Sequence, residues 1–318
     1  MKRKKEKKNY EMGFWKSLKY DIKHSPYLCL MCVPTIVWYL VFAYIPMIYL
    51  LIAFKDYSPT KGLWGSEWVG LQNFKAFLGS VNCFNVTYNT IFLNVLFITT
   101  GMMFSIFIAI ALSEINSRIF KKVSQSIVIL PNFISWTVVA LMCEALLKNQ
   151  KGFVNNILVS LGREKINFYH NADLWPVLLT IIKLWHGAGY GSIIYLAAIT
   201  GFDQEMYEAA RVDGATRGQC IRYLTLPLLK TTAVMLFIMN IGKIFNGDFG
   251  LIYNLVGNNA ILYKTTDVID TYVYRMLVES KNVGQSSAVG LYQSILGFLI
   301  VMCSNWITKK LDSESALF

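Results

Sequence analysis

Eight polar, charged or ring-bearing side chains interrupt two long apolar stretches of this sequence. Lys183, Trp185, His186 and Tyr190 lie in one, and Asn240, Lys243, Asn246 and Asp248 in the other. Ammonium, imidazole, amide and carboxylate groups are costly in such surroundings, which makes them functional candidates by default. The chemistry open to them is hydrogen bonding and charge pairing. The competing reading is hydrogen bonding between packed helices. Lys243 and Asp248 could also neutralise each other. Nothing points to covalent chemistry: no Ser-His-Asp or paired-carboxylate spacing can be argued. His24, His170 and His186 are too scattered for a metal site. Cys29 and Cys32 form a CxxC at the start of an apolar segment, without the second ligand pair that zinc needs. Cys83 is expected to stand alone outside, so no disulfide framework is predicted.

The segments around these residues set the class of protein. Of 318 residues, 55% are hydrophobic and only 15% charged, yet the net charge is +11. This excludes a disordered chain and argues against an ordinary soluble enzyme. A spanning helix needs about 20 largely apolar residues. Six candidates are present, at about 27–54, 90–113, 126–147, 174–200, 231–255 and 287–306. Each is apolar around its whole circumference, unlike a one-sided amphipathic helix. The expected fold class is therefore an all-α integral membrane protein with six transmembrane helices. Its expected parts are a basic N-terminus, 1–26, and a transmembrane domain, 27–318.

The positions of the cations give an orientation. Of 30 Lys and Arg residues, 18 fall in residues 1–26, in the second-to-third and fourth-to-fifth connections, and in the tail. The opposite connections hold nine. Positive-inside places both termini in the cytoplasm. The basic N-terminus is read as a topology signal rather than a nucleic-acid arm. Its following apolar stretch is too long for a cleavable signal and is read as a retained first helix. The outward connections, which include Trp64, Trp68, Phe74 and Phe77, are too short for a folded domain and are read as lids or docking surface. Glu144 is expected to be solvated near an outer membrane end.

Several short matches lack their mechanism. Gly187-Ala-Gly-Tyr-Gly191 lies inside a span and not at a strand-to-helix turn, so close helix packing or a local bend is expected. Asp248-Phe249-Gly250 has no accompanying kinase loops. Asn85-Val86-Thr87 is a glycosylation sequon, expected in an external loop. No G-x-x-x-x-G-K-[ST] phosphate loop occurs.

One cytoplasmic connection, 201–230, is polar and rich in helix formers. Asp203 can cap a helix, residues 205–211 favour one, and Asp213-Gly214 signals a turn. The expectation is two short helices with a sharp turn between them. Ala209 and Ala210 would let a partner surface approach closely, and Glu208 would offer it one charge.

At these residues the chain resembles a known family. Glu208-Ala209-Ala210, three residues, Gly214, nine residues, then Leu224-Thr225-Leu226-Pro227 is similar to the EAA loop of ABC importer permeases, E-A-A-x3-G-x9-I-x-L-P. Leu224 replaces the usual Ile, a conservative apolar change. Segment 68–74 resembles the family's first external loop, and segments 130–136, 191–198 and 266–275 resemble the polysaccharide or oligosaccharide branch, akin to the larger permease of maltose-type transporters.

The resemblance implies a type I ABC importer permease fold in a bacterial inner or cytoplasmic membrane. It implies half of a pore, shared with a second permease in a heterodimer, and two ABC ATPase subunits below. An extracellular or periplasmic solute-binding protein would deliver the substrate. Apart from these and membrane lipid no partner is implied, and no nucleic acid. No cofactor is expected in this chain; ATP and Mg would sit on the ATPases. A coupling helix from about Glu208 to Ala215 would dock on an ATPase, with Asp213, Leu226 and Pro227 belonging to the same motif. The intramembrane set would suit a sugar, since sugars bind to aromatic faces and to amide or charged groups. The alternatives are an ATP-independent secondary transporter or channel, which would need buried carboxylates and internal repeats, and a membrane-embedded enzyme, which would need clustered acids or histidines.

Overall fold

The computed structural model describes residues 19–20, 22–149 and 152–311. The basic run up to Lys16 lies outside these residues. Five helices among them are long and apolar enough to cross a membrane, and a pair of helices bent by 94° meets the same test only when its two halves are taken as one span. The described residues are all-α except for one antiparallel pair of two-residue strands, Lys55–Asp56 with Glu67–Trp68.

The first span, Pro26–Phe54, begins as α1 (Pro26–Tyr39). A π turn at Leu40–Tyr44 then leads into a 3-10 stretch, Ile45–Phe54. Pro46 explains the change of pitch: it has no N–H to give, and its ring crowds the carbonyl four residues back. Only Ile52 and Ala53 of the last stretch are buried. The rest of this span presents apolar side chains outward, as lipid or a partner helix requires.

α2 (Val81–Ser113) is the second span, and it starts earlier than its apolar pattern suggests. Ser80 caps it, accepting from the Cys83 N–H at 3.3 Å. The Asn85 sequon and Cys83, both expected in an external loop, therefore lie on a helix. Asn89 and Asn94 are buried on it.

The expected third span is not one rod. α3 (Arg118–Ile129) and α4 (Trp136–Leu147) meet at 94°, across a break holding Pro131. Ser117 and Ser135 cap the two helices at their own N-termini. α5 (Trp175–Thr200) is unbroken, and with the preceding turn its span runs Ala172–Thr200.

α6 (Gln204–Val212) is the short helix of the polar connection. The chain beyond α6 departs from two expectations. The second helix of that connection is not short, because Arg217–Ile241 is one continuous span. It passes through a π turn at Ile221–Thr225 and continues as α7 (Leu226–Ile241). The π turn widens the helix where Pro227 would crowd the Tyr223 carbonyl. The expected fifth span at 231–255 is instead cut by a non-helical stretch, 242–248, and only then resumes as α8 (Phe249–Val256). α9 (Ile269–Val278) lies in the next connection, and α10 (Val283–Leu311) is the last span.

Three apolar clusters hold these elements. Leu93, Val139, Trp175, Leu179, Leu251 and Val268 join α2, α4, α5 and α8. Phe77, Val86, Phe245, Ile269 and Val289 join α2 to the 242–248 break, α9 and α10. Ala109, Tyr195, Ile199 and Leu229 join α2, α5 and α7 near the polar connection. Glycine permits the tightest approach. A Cβ on Gly189 would stand 2.0 Å from the Val128 carbonyl oxygen, and one on Gly191 would stand 2.6 Å from Ser105 Oγ. Gly189 and Gly191 of the Gly187–Gly191 run thus serve helix packing, while Gly187 has nothing within 4 Å.

Candidate functional site

Both broken helices have their breaks rebuilt by side chains. In the 242–248 stretch, Asn94 Nδ2 donates to the carbonyls of Ile244 at 3.0 Å and Asn246 at 3.3 Å. Gln293 Nε2 donates to the Phe245 carbonyl at 2.7 Å. Asp270 Oδ2 accepts from the Gly247 N–H at 2.6 Å and from Gln293 at 3.1 Å. Burial pushes the Asp270 carboxyl above its ordinary value, and those two donors pull it back. Gly247 is required here: a Cβ would meet Asp270 Oδ2 and Val268 at 2.7 Å. Non-helical backbone at membrane depth survives only where protein or a wet cavity satisfies it, and here protein side chains do so.

The cavity beside it has a volume of about 760 Å³. α2, α5, α7 and the 242–248 break wall it. Of the eight residues singled out in sequence, six line it: Lys183, Tyr190, Asn240, Lys243, Asn246 and Asp248. Trp185 and His186 do not. Lys183 Nζ lies 2.7 Å from Asp248 Oδ2 and 4.9 Å from the Phe97 ring centre. Asp248 Oδ1 also caps α8, accepting from the Leu251 N–H at 3.1 Å. The partner of Asp248 is thus Lys183 on another helix, and not Lys243 five residues away in sequence.

His186 has a different task. Its Nε2 donates to the Ile134 carbonyl at 2.9 Å, which fixes the tautomer as Nε2–H. Its ring stacks on Trp136 with centroids 4.0 Å apart. Trp136 in turn packs on Gly250, where a Cβ would stand 2.7 Å from the indole. His186 therefore closes the break between α3 and α4, and Trp136 carries that contact on to α8.

Sequence reasoning passed over Asn94, Phe97, Thr100, Ser105 and Thr180, which also line the cavity. Asn94 was visible as an amide within an apolar helix. The others are small or apolar residues that carry no signal of their own.

A second cavity, of about 510 Å³, opens between α4, α8 and the 148–171 connection. It holds the Glu144–Lys148 pair at 2.8 Å, both partners exposed, with Tyr169 and His170. Burial pushes the Tyr169 phenol up to about 12, so it stays a hydroxyl. The segment 266–275 is a structural clamp. Arg275 binds Asp267 through two hydrogen bonds, at 2.9 and 2.6 Å, and its guanidinium lies 4.0 Å from the Tyr263 ring centre.

The polar connection forms a defined surface. Asp203 Oδ1 accepts from the Glu205 N–H at 3.0 Å and starts α6. The helix ends in a Schellman motif: Ala215 N–H donates to the Ala210 carbonyl at 2.9 Å, and Gly214 N–H to the Arg211 carbonyl at 3.1 Å. Gly214 sits at φ +85°, where a side chain is strained. A capping box of Thr216 and Gln219 then opens the next helix. The Tyr207 hydroxyl bonds the Thr225 hydroxyl at 3.1 Å, which ties α6 to the π turn. Glu208 and Ala209 are exposed on α6, and Ala210 is half-buried. The helix is Gln204–Val212, so Glu208 is at its middle, while Asp213, Gly214 and Ala215 form the turn. Leu226 and Pro227 lie in the long span, exposed.

Comparison with known proteins agrees with this arrangement. Residues 101–314 match the family described as binding-protein-dependent transport system inner membrane component. The polygalacturonan/rhamnogalacturonan transport system permease protein YteP of Bacillus subtilis (strain 168) is 36% identical over 299 residues, 94% of this chain and 92% of that protein. A chain in the crystal structure of a bacterial ABC transporter that imports the acidic polysaccharide alginate superposes with a TM-score of 0.84 at 33% identity, covering 93% of this chain and 99% of that one. A chain of a bacterial alginate ABC transporter in complex with an alginate pentasaccharide-bound periplasmic protein gives a TM-score of 0.83 at 33% identity, covering 94% and 98%.

Proposed function

The chain belongs to the binding-protein-dependent transport system inner membrane component family, and on that premise we propose that its central cavity carries a saccharide chain across the membrane. The protein is a multi-pass permease subunit of an ABC importer. The observation that carries the substrate reading is the 760 Å³ cavity walled by a broken helix and lined by amides, Tyr190 and paired charges. Unwound backbone beside a midplane cavity is where transporters hold solute. The names of the relatives, polygalacturonan/rhamnogalacturonan and alginate, support a saccharide. The alternative of an ATP-independent transporter or channel finds no support in the comparisons.

In this reading the chain forms half of a pore with a second permease, and a solute-binding protein delivers the saccharide from outside. Two ABC ATPases dock on the face that carries α6, which places both termini in the cytoplasm of a bacterial cell. ATP and Mg bind to those subunits. Glu208 offers a carboxylate to a basic group on the ATPase, and Ala209 lets the two surfaces close. The Tyr207–Thr225 bond passes a displacement of α6 to the long span at its π turn, and so to the cavity wall at 242–248. That is rigid-body coupling through a stiff lever.

The test is uptake of labelled oligosaccharides into proteoliposomes that contain the whole importer, with its binding protein. Glu208→Ala is expected to abolish ATP-driven uptake while the binding protein still captures saccharide at the outer face. Normal uptake by that variant sinks the coupling assignment. Failure of the unaltered importer to move any saccharide sinks the substrate reading.

A further inference from the structure

We propose that the open face of α8 is a second saccharide-binding site, a strip of rings on which a long chain lies while its leading end occupies the central cavity. The proposal rests on the reading of that cavity as a saccharide path. It adds where the rest of the chain sits, and it makes chain length a property that the permease reads.

α8 has two unlike faces. Leu251, Ile252, Leu255 and Val256 are buried in the bundle. Phe249, Gly250, Tyr253 and Asn254, spaced i, i+1, i+4 and i+5, share the opposite face, and each is only half-buried. The two ends of that face belong to different cavities. Phe249 lines the central one, and Asn254 and Gly257 line the second. α8 is eight residues long, or about 12 Å, with Tyr253 as the rung between them.

The second cavity lies at the end of the bundle opposite α6. Tyr169, in its lining, packs on Trp175 with ring centroids 5.2 Å apart, at the start of α5. α6 follows the other end of α5, 26 residues and about 39 Å away. The central cavity takes its α5 lining from Thr180 to Tyr195 and so lies between. Solute that arrives opposite the α6 face meets the second cavity first.

The strip has the chemistry of a sugar-stacking surface. The Phe249 and Tyr253 rings lie nearly parallel, at 12°, with centroids 5.0 Å apart. Tyr274 of α9 joins them, 5.0 Å from Phe249 and 4.8 Å from Tyr253. On the other flank α4 supplies Trp136, against Gly250, and Thr137, whose hydroxyl donates to Asn254 at 3.0 Å. Ring faces carry negative partial charge, and a pyranose presents its C–H hydrogens to them. Its rim hydroxyls then meet tyrosine hydroxyls and an amide. Stacking also tolerates sliding, because no directional bond must break as the chain advances. Rings that served only the core would be buried as Leu251 and Ile252 are. Phe249, Tyr253 and Tyr274 are only half-buried, and they gather between two cavities.

The experiment measures initial uptake by proteoliposomes of the whole importer with its binding protein. The probes are galacturonan, rhamnogalacturonan and alginate fragments graded by length. KM and kcat for the shortest and the longest fragments carried are compared in Tyr253→Leu, Tyr274→Leu and the unaltered protein, with Tyr253→Phe and Tyr274→Phe keeping the ring. A short fragment fits in the central cavity alone, so the Leu variants should carry it normally. For the longest fragment each Leu variant should raise KM about fivefold, the loss of one ring contact, and the Phe variants should not. A second measurement reads the contact directly. Maleimide labelling of the new thiol in Tyr253→Cys, located by mass spectrometry, should be slowed by binding protein loaded with the longest fragment and not with the shortest. Unchanged KM in both Leu variants overturns the proposal, as does labelling that no fragment slows. An equal loss at both lengths also overturns it; this is the result expected if the second permease covers the strip. Uptake of no fragment by the unaltered importer fails the saccharide path itself.

Discussion

The Lys183 ammonium lies 2.7 Å from the Asp248 carboxylate, and the pair joins an unbroken helix to one that begins only after a gap. Asp248 has two duties there, since its other oxygen caps α8. The cavity wall is thus fixed at the point where its backbone has no helical ladder.

This predicts unequal results for the two ways of removing the pair. Lys183→Met leaves Asp248 half-buried and unpaired, and Asp248→Asn does the same to Lys183. Each is expected to cost about 1–3 kcal/mol. The double variant should cost less than the two singles combined, a coupling of at least about 0.5 kcal/mol. Thermal unfolding of the four proteins in detergent measures it, and strict additivity would show that the pair is not coupled.

Gly214 holds the end of α6 at a positive φ, so Gly214→Ala should strain the turn by about 1 kcal/mol. The Schellman bonds from Ala215 and Gly214 would loosen, and α6 would lose its fixed angle to the long span. Stimulation of the ATPases by loaded binding protein should fall, while the permease still assembles. Unchanged stimulation would show that the angle of α6 is not what transmits the signal.

His186 donates to the Ile134 carbonyl inside the break between α3 and α4. His186→Phe keeps the stacking on Trp136 but leaves that carbonyl without its donor, at a cost of about 1–3 kcal/mol. His186→Gln can donate and should recover part of the loss. Equal stability of the Phe and Gln variants, measured by unfolding temperature, would argue that stacking alone holds the break.

Two glycines of the same run should behave oppositely. Gly189→Ala drives a Cβ into the Val128 backbone, where neither helix can yield cheaply. Overpacking of this kind costs about 1–3 kcal/mol or more. Gly187 has nothing within 4 Å, so Gly187→Ala should fold as well as the parent. Yields and unfolding temperatures of the two purified variants decide it.

The sequence by itself determined that the chain lives in a membrane. Apolar runs of spanning length must be buried in lipid or protein, whatever their neighbours. It also determined the start of α6 and the turn after it, because Asp203 and Gly214 act through local backbone geometry and need no distant partner. What it could not give were the breaks. Hydropathy shows 126–147 and 231–255 as single stretches of spanning length; Gly242, Lys243, Asn246, Gly247 and Asp248 interrupt the second, but polar residues within a span are as compatible with an unbroken helix as with a break. The breaks are stable only because Asn94, His186, Asp270 and Gln293, from other parts of the chain, take up the freed hydrogen-bonding groups. Tertiary structure likewise gave Asp248 to Lys183 rather than to Lys243, and placed His186 at the break between α3 and α4 rather than in the cavity. Those pairings depend on which helix faces meet, and that is set by the packing of Gly189, Gly247 and Gly250 against their neighbours, a property of the assembled bundle and of no single stretch.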